Sequence, residues 1–247
     1  MGPMKTIRLL FCFTLSFAAA TTALAQKSDW VSSYNTLLGK YVTSGGVKYA
    51  EWKANAADMQ AIQAVVDGIA KENVSAMGKP QQLAFYINAY NVWILHEALG
   101  KYPTKSVKDA LFTFFTGKRI TVAGQQMSFN ALEKDTIRSK FGEPRVHFAL
   151  NCASRSCPPL NRTAFSAEKL DSQFEALTKG YVNSEHGVKF NAATKSAELS
   201  KIFDWYKDDF KADGGALAFI NKRRTAQIPA DAKISYQDYD WGLNEAK

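Results

Sequence analysis

The sequence predicts an α+β fold, namely a mostly helical single domain around a small, largely antiparallel sheet. Several long segments repeat apolar residues every three or four positions, which is the spacing of an amphipathic helix. Shorter segments alternate apolar and polar residues around glycine-containing turns, which is typical of β-hairpins. No internal repeat, low-complexity tract or Pro/Ser-rich linker divides the 247 residues, and this length suits one domain.

The amino-terminal segment has the parts of a cleavable secretory signal peptide. A positively charged segment with Lys5 and Arg8 precedes an apolar run, and small residues stand at the predicted cleavage site that ends at Ala25. We therefore expect residues 1–25 to be a signal peptide cleaved after Ala25. Residues 26–247 would then form one globular domain that is periplasmic or secreted.

The first half of the chain carries three predicted helices. Residues 29–43 place five large apolar side chains on one face: Trp30, Tyr34, Leu37, Leu38 and Tyr41. Two glycines interrupt this pattern before a short strand at 47–49, and residues 56–77 resume it as an amphipathic helix. Pro80 then suits the first turn of the third helix.

That third helix, over residues 81–99, is apolar nearly all round, so we expect it to be buried. It nevertheless carries Asn88 and Asn91, with Tyr90 between them. Buried amides must be hydrogen-bonded. The two asparagines therefore either clamp loop backbone or, together with Tyr90, line a polar site.

The second half begins with a predicted hairpin over residues 120–128. Asn130 and Glu133 have the spacing of a capping box, so a helix is expected from there to Phe141. Residues 145–151 favour a strand. The remaining predicted elements are helices over 166–182, 199–210 and 216–223, and a strand in the tail over 234–243.

The densest group of reactive residues lies in the segment 147–158. A strand would place His147 and Asn151 on one face, with Cys152 just past its end, where functional side chains often stand. A thiolate nucleophile needs a neighbouring base or cation. His147 is the candidate general base, and Glu133 or Asn151 could orient it.

The turn after Cys152 supplies polar neighbours for this thiol. Arg155 is a local cation that could also lower a thiol pKa. The backbone N–H groups of residues 152–156 are candidate oxyanion donors. The other polar residues assigned to the site are Asn88, Tyr90, Asn91, Asn151, Ser154 and Ser156.

Residues 26–247 keep two cysteines, Cys152 and Cys157. In an oxidising compartment they would either form a disulfide that closes a tight loop or stay as thiols for a chemical reason. Three alternatives therefore stay open: a thiol nucleophile, a non-catalytic binding or structural domain with a Cys152–Cys157 bridge, and a thiol redox protein. A metal site is short of ligands, since the two cysteines and His147 make three, so we expect no metal and no cofactor.

The charge of the chain limits its partners. The net charge is +8, and removing Lys5 and Arg8 with the signal peptide, which holds no acidic residue, leaves +6. The basic residues are scattered and do not alternate with aromatic residues as in a nucleic-acid platform. We expect no nucleic-acid partner, a weak attraction to anionic envelope surfaces, and no transmembrane segment in residues 26–247. The substrate or envelope partner is not specified.

Several segments together resemble the family known only as domain of unknown function 547. They are Phe85–Asn91, Leu132–Glu133 with Ile137–Arg138, Arg145–Ser154 with Ser156–Leu160, Phe203–Tyr206 with Asp209–Phe210, and Tyr239–Asn244. The resemblance covers about residues 80–244 and implies an exported bacterial protein with plant relatives, but no established activity.

The order of His147 and Cys152 is also similar to that of permuted papain-like thiol hydrolases. Our leading hypothesis is a thiol-dependent hydrolase or acyl transferase in which Cys152 is the nucleophile, His147 the general base and Glu133 the residue that orients it.

Overall fold

The computed structural model describes residues 1–2, 30–108, 115–117 and 119–246. Apart from its first two residues, the predicted signal peptide lies outside the described residues. The predicted fold class is confirmed, since the structure is mixed α+β with mostly helical content and small sheets. None of the described helices has the length and apolarity needed to cross a membrane.

The α-helices are the largest class of regular element among the described residues. Their bounds are α1 Trp30–Tyr41, α2 Tyr49–Ala54, α3 Ala56–Lys71, α4 Lys79–Lys101, α5 Ser139–Phe141, α6 Leu170–Val182, α7 Ile202–Trp205 and α8 Ala216–Asn221. A π-helix, Ala131–Arg138, leads directly into α5. Short 3₁₀-helices occupy Val74–Ala76, Pro144–Phe148 and Lys207–Asp213.

Within the described ranges, the strands are short and form three small sheets. Their bounds are β1 Val42–Thr43, β2 Gly46–Val47, β3 Ile120–Val122, β4 Gln125–Met127, β5 Val188–Asn191, β6 Ser196–Leu199 and β7 Lys233–Tyr236. The pairs β1–β2, β3–β4 and β5–β6 are antiparallel, whereas β7 pairs with β6 in parallel. The hairpin predicted over 120–128 is β3–β4.

Helix α4 runs through the larger of two hydrophobic cores. Gln81 accepts a hydrogen bond from the backbone N–H of Gly78, and Pro80 lies in the first turn. Every residue from Leu83 to Leu95 is buried, as expected for a helix that is apolar all round. Helices α1 and α3 pack together, and α3 packs on α4.

A smaller core lies around Phe148, whose ring packs against Phe203 and Phe219. Two residues earlier, Val146 belongs to the larger core. The segment that carries His147 therefore passes along the border between the two cores, and this border is where the candidate site forms.

The strand predicted over 145–151 is wrong, because the structure forms the 3₁₀-helix Pro144–Phe148 there. Pro144 fits the first turn of a helix. The Glu143 side chain caps that turn by accepting from the backbone N–H of Arg145 at 3.0 Å, and it also pairs with the Arg145 guanidinium. These local contacts favour a turn over a strand, so His147 and Asn151 do not share a strand face.

The capping box predicted at Asn130 is also wrong. Asn130 already has helical dihedral angles, φ −61° and ψ −40°. The cap is Ser128, whose hydroxyl accepts from the backbone N–H of Ala131 and whose carbonyl accepts from that of Leu132. The Glu133 side chain is therefore left for other partners.

The carboxy-terminal strap, residues 237–246, continues the predicted tail strand beyond β7 as isolated bridges. On one side, the backbone N–H of Val107 donates to the carbonyl of Trp241. On the other, Arg155 N–H donates to Gly242, and Asn244 N–H donates to Ala153. The strap thus lies against the turn that contains Cys152.

Candidate active site around Cys152

A cavity of about 370 Å³ opens at the border between the two cores. It is lined by six parts of the fold: helix α4, the π-helix, the 3₁₀-helix after Glu143, the turn over residues 152–157 (the cysteine turn), α7 and the strap. Its lining residues are Tyr90, Lys108, Phe115, Thr116, Asn130, Glu133, His147, Leu150, Cys152, Cys157, Pro158, Ile202, Trp205, Tyr206, Tyr239 and Trp241. It therefore brings together Cys152, His147, Glu133 and Tyr90 of the sequence-predicted site.

The cysteine turn is held by the buried side chain of Asn151. Its amide donates to the carbonyl of Pro158 at 2.8 Å, and its carbonyl oxygen accepts from the backbone N–H of Ala153 at 2.9 Å. Ala153 has a φ of 61°, a conformation that a residue with a side chain keeps only where its surroundings impose it. Asn151 therefore fixes the backbone around Cys152 and does not orient His147.

The two cysteines are free thiols. Their sulfurs are 2.8 Å apart, whereas a disulfide bond measures about 2.05 Å. The backbone N–H of Cys152 donates to the Cys157 sulfur at 2.9 Å. The bridge considered from the sequence is therefore not formed, although the pair is in close contact.

Cys152 is surrounded by hydrogen-bond donors. Its sulfur lies 3.0 Å from Ser154 Oγ and 3.3 Å from Tyr239 Oη. Hydrogen bonds from Cys157, and then from Ser154 and Tyr239, lower the pKa of Cys152 to about 7 against the opposing effect of burial. Burial, and then the neighbouring Cys152, raises the pKa of Cys157 well above its ordinary value. Cys152 is therefore the thiol that ionises first.

His147 faces the same cavity from the 3₁₀-helix and is only 5 % exposed. Its Nε2 lies 2.7 Å from Asp209 Oδ2, and its ring stacks on Tyr206 with the centroids 3.9 Å apart. Arg138 donates two hydrogen bonds of 2.8 and 3.0 Å to the same carboxylate. The hydrogen bonds from His147, and then from Arg138, hold the pKa of Asp209 well below its usual range. Asp209 therefore remains a carboxylate that orients the ring.

Glu133 does not orient His147, contrary to the sequence hypothesis. Its carboxylate accepts from Tyr206 Oη at 2.8 Å and lies 3.5 Å from Tyr90 Oη. Burial, and then the Glu133 charge, raises the pKa of Tyr206 above its ordinary value. Among the described residues, the hydrogen-bond partners of the Cys152 sulfur are Ser154, Tyr239 and Cys157, so His147 shares the cavity with the thiol without bonding to it.

A comparison with known families bears on this site. The family model for "Protein of unknown function, DUF547" matches residues 74–182. This segment of the chain is therefore similar to the DUF547 family. The match includes His147 and Cys152, whereas Asp209 and Tyr239 follow it along the chain. No curated protein and no solved structure was found to match.

Two asparagines of the matched segment, both predicted to belong to the site, are structural clamps. The Asn88 amide holds both the backbone N–H and the carbonyl of Phe165, at 2.8 and 2.9 Å. The Asn91 amide donates to the carbonyl of Ala149 and accepts from the backbone N–H of Asn151, both at 2.9 Å. Neither asparagine lines the cavity. Asn91 contributes to the site indirectly, because it holds the residue before Cys152.

Arg155 and Ser156 also lie outside the cavity and attach the strap. Ser156 Oγ accepts from the backbone N–H of Asp240 at 2.8 Å. Arg155 is exposed, with Nη1 3.6 Å from Asp240 Oδ2. Arg155 is therefore not the cation that activates Cys152.

The backbone N–H groups predicted to be oxyanion donors already have acceptors. The N–H of Cys152 donates to Cys157 Sγ, and that of Ala153 donates to Asn151 Oδ1. The N–H groups of Arg155 and Ser156 donate to the carbonyls of Gly242 and Asp240, respectively. The Ser154 N–H donates to the Cys152 sulfur. The turn therefore stabilises the thiol but leaves no backbone donor for a substrate oxygen.

Four residues of the site were not assigned a role from the sequence: Arg138, Tyr206, Asp209 and Tyr239. Tyr206, Asp209 and Tyr239 lie far from Cys152 along the chain, so no local spacing connects them with it. All four do occur in the segments that resemble the DUF547 family, and that resemblance was the one available indication. Within the described part of the chain, no group of three or more metal-ligating side chains is arranged to hold a metal ion.

Proposed function

We propose that this protein is a thiol-dependent hydrolase or acyl transferase with Cys152 as its nucleophile. One observation carries the proposal: a thiol with a lowered pKa and a histidine paired with a carboxylate line the same cavity. Nucleophile, base and orienting acid are the three parts of covalent thiol catalysis. In this assignment Asp209, rather than Glu133, orients His147.

The reaction would proceed through a thioester. His147 takes up the proton of the Cys152 thiol. The resulting thiolate attacks the carbonyl carbon of an acyl substrate, and the electron pair of the C=O bond moves to oxygen. The C=O bond then re-forms while the bond to the leaving group breaks, and the leaving group takes a proton from His147. In the second half, His147 removes a proton from water or an acceptor alcohol or amine, which attacks the thioester and releases Cys152 as a thiolate.

The position of His147 suits this proton transfer. Its Nε2 is committed to Asp209, so Nδ1 is the nitrogen assigned to the proton transfer. The Asp209 carboxylate stabilises the positive ring that forms when His147 holds a proton. Catalytic contacts in structures without substrate are often long and tighten when substrate binds.

Acylation by a simple activated ester tests the proposal. The reduced protein is mixed with p-nitrophenyl acetate, and its intact mass and cysteine peptides are followed with time. We expect one acetyl group on Cys152 that is lost again by hydrolysis. The Cys152→Ala variant should gain none, and the matched Cys157→Ala variant should still be acylated at Cys152. Equal acetylation of the parent protein and Cys152→Ala would overturn the proposal.

The close pair of sulfurs favours thiol redox chemistry as a second candidate. A low-pKa attacking thiol beside a high-pKa resolving thiol is the arrangement that thiol–disulfide exchange uses. Cys152 would attack a partner disulfide and displace one of its sulfurs as a thiolate. Cys157 would then attack the mixed disulfide, which oxidises the pair and fully reduces the partner. Equilibration with glutathione buffers, with free thiols counted by alkylation, tests this: a pair that remains reduced in fully oxidised glutathione excludes it.

We also propose that the protein is exported. The support is the positive start, apolar run and small residues that end at Ala25. Expression of the full chain in a bacterium, followed by amino-terminal sequencing of the protein recovered from the cell envelope, should give Gln26 as the first residue. Recovery of a form that still begins at Met1 or Met4 would contradict the proposal.

A further inference from the structure

Acyl transfer at Cys152 needs a hydrogen-bond donor for the negative oxygen that forms on the attacked carbonyl. The backbone of the cysteine turn cannot supply one, because its N–H groups are engaged by protein acceptors. Two hydroxyl groups remain beside the sulfur, those of Ser154 and Tyr239. Ser154 is 1 % exposed, whereas Tyr239 lines the cavity in which a substrate would lie.

We propose that the Tyr239 hydroxyl is the oxyanion donor for the reaction at Cys152, and that Ser154 is the residue that positions it. This inference rests on the proposed acyl-transfer function. The Ser154 hydroxyl donates its proton to Tyr239 Oη at 3.0 Å, so Ser154 donates to the sulfur through its backbone N–H. Tyr239 is thereby free to point its own proton at the sulfur, 3.3 Å away.

The reaction itself would redirect this hydrogen bond. Before attack, the negative charge is on the Cys152 sulfur, and Tyr239 stabilises it. As the C–S bond forms, the charge moves to the oxygen of the attacked carbonyl, which is bonded to the carbon now joined to sulfur. The sulfur ceases to be a strong acceptor, and the same phenol proton can bond to the new oxyanion. Tyr239 keeps its proton throughout, so no further acid or base is needed.

Tyr239 is held in a fixed position, which a donor of this kind requires. Its ring packs against the indoles of Trp205 and Trp241, with centroid distances of 4.8 and 4.5 Å. In the next residue, the backbone N–H of Asp240 donates to Ser156 Oγ, and the Asp240 carbonyl accepts from the backbone N–H of Ser156. Burial raises the pKa of Tyr239 well above its ordinary value, so the phenol remains a donor.

The test compares two reactions of the same sulfur. Iodoacetamide alkylates a thiolate without forming an oxyanion, whereas p-nitrophenyl acetate acylates it through one. Both rates are measured for the parent protein, Tyr239→Phe, Ser154→Ala and the control Tyr236→Phe, which changes an exposed tyrosine of β7. The pH is set well above the ordinary thiol pKa of about 8.5, so that every variant is fully ionised.

We expect the ratio of acylation to alkylation to fall about 10²-fold or more in Tyr239→Phe, the usual effect of removing one oxyanion donor. The ratio should fall less in Ser154→Ala and stay unchanged in Tyr236→Phe. A thiolate in unfolded protein also lacks the donor, so each variant is first shown by a thermal melt to be folded at the assay pH. An unchanged ratio in Tyr239→Phe overturns the proposal.

If the proposed function itself is wrong, the parent protein already gives a different result. In that case Cys152 of the parent protein is alkylated but never acylated, so the defect is present before any substitution. Should Tyr239→Phe not fold, Ser154→Ala decides, because a ratio equal to that of the parent protein then rejects the role assigned to the hydroxyl pair.

Discussion

The buried polar residues of α4 and those around the cavity are held in different ways. Asn88 and Asn91 direct their amides at backbone groups of neighbouring loops, and each uses both its donor and its acceptor there. Cys152 and His147 are each bonded to protein groups on one side and open to the cavity on the other. Buried polar residues whose bonds are used entirely by the main chain belong to the scaffold, whereas those that retain a face on a cavity are candidates for chemistry.

The largest effect that separates the two regions is expected for Cys152→Ala. Removing a nucleophile lowers the rate roughly 10³-fold or more, so acylation and any turnover should fall to background. The thermal midpoint should change little, because the turn is held by Asn151. A rate assay with p-nitrophenyl acetate and a thermal melt measure both quantities, and turnover that survives the substitution would place the nucleophile elsewhere.

Asp209→Asn should have the next largest effect. The amide can no longer stabilise a positive His147, and loss of general acid–base catalysis costs roughly 10²–10⁴-fold in rate. The matched control is Asp208→Asn, which changes the adjacent exposed carboxylate that pairs with Lys211. Similar rates for the two variants would contradict the role of Asp209.

Asp209 also predicts a dependence of stability on pH. Its folded-state pKa is depressed, so its ion pairs stabilise the fold fully above the ordinary carboxyl pKa of about 4. That contribution is lost as the pH falls below this value towards the folded-state pKa. Denaturant titrations between neutral and acidic pH should therefore show a smaller acid-dependent loss of stability for Asp209→Asn than for Asp208→Asn. The same acid dependence in the two variants would show that the Asp209 ion pairs contribute nothing measurable.

Much of the scaffold could be predicted from the sequence, because helical periodicity reflects which face is buried. The helices α1, α3 and α4 and the hairpin β3–β4 lie where the apolar spacing predicted them. The pattern was least informative at 145–151, where a short apolar segment fits a strand and a buried turn equally well. There Pro144 and the side chain of Glu143 decide for the 3₁₀-helix.

The candidate site was less predictable than the scaffold for a physical reason. Cys152 and His147 lie close in sequence, and both were found to line one cavity. Their partners Asp209 and Tyr239 arrive through the second core and the strap, and only tertiary packing brings them near. Glu133 was assigned to His147 on chemical type alone, and the structure shows that a carboxylate from a more distant segment takes that place.

The asparagine clamps give a prediction about stability rather than rate. Asn88→Ala and Asn91→Ala each leave buried backbone groups unpaired, at about 1–3 kcal/mol per group. For a chain of this size, each kcal/mol lowers the thermal midpoint by roughly 2–4 °C. The control is Gln126→Ala, which changes an exposed amide side chain of β4. Asn91→Ala should also slow acylation moderately, because Asn91 holds Asn151, whereas Asn88→Ala should not. An acylation defect confined to Asn88→Ala would assign that residue to the site after all.

The smallest expected effect is a shift in the pKa of Cys152, and it tests the sulfur pair directly. The hydrogen bond from Cys157 is the strongest of the contacts that lower this pKa. In Cys157→Ala that donor is lost, so the midpoint of the alkylation rate against pH should move from about 7 towards the ordinary value of about 8.5. Cys157→Ser keeps a donor at the same place and should shift the midpoint less. At high pH both variants should be alkylated as fast as the parent protein, since the thiolate is then complete in each. Equal midpoints for Cys157→Ala and the parent protein would mean that Ser154 and Tyr239 alone ionise Cys152, and that Cys157 acts, if at all, only after oxidation.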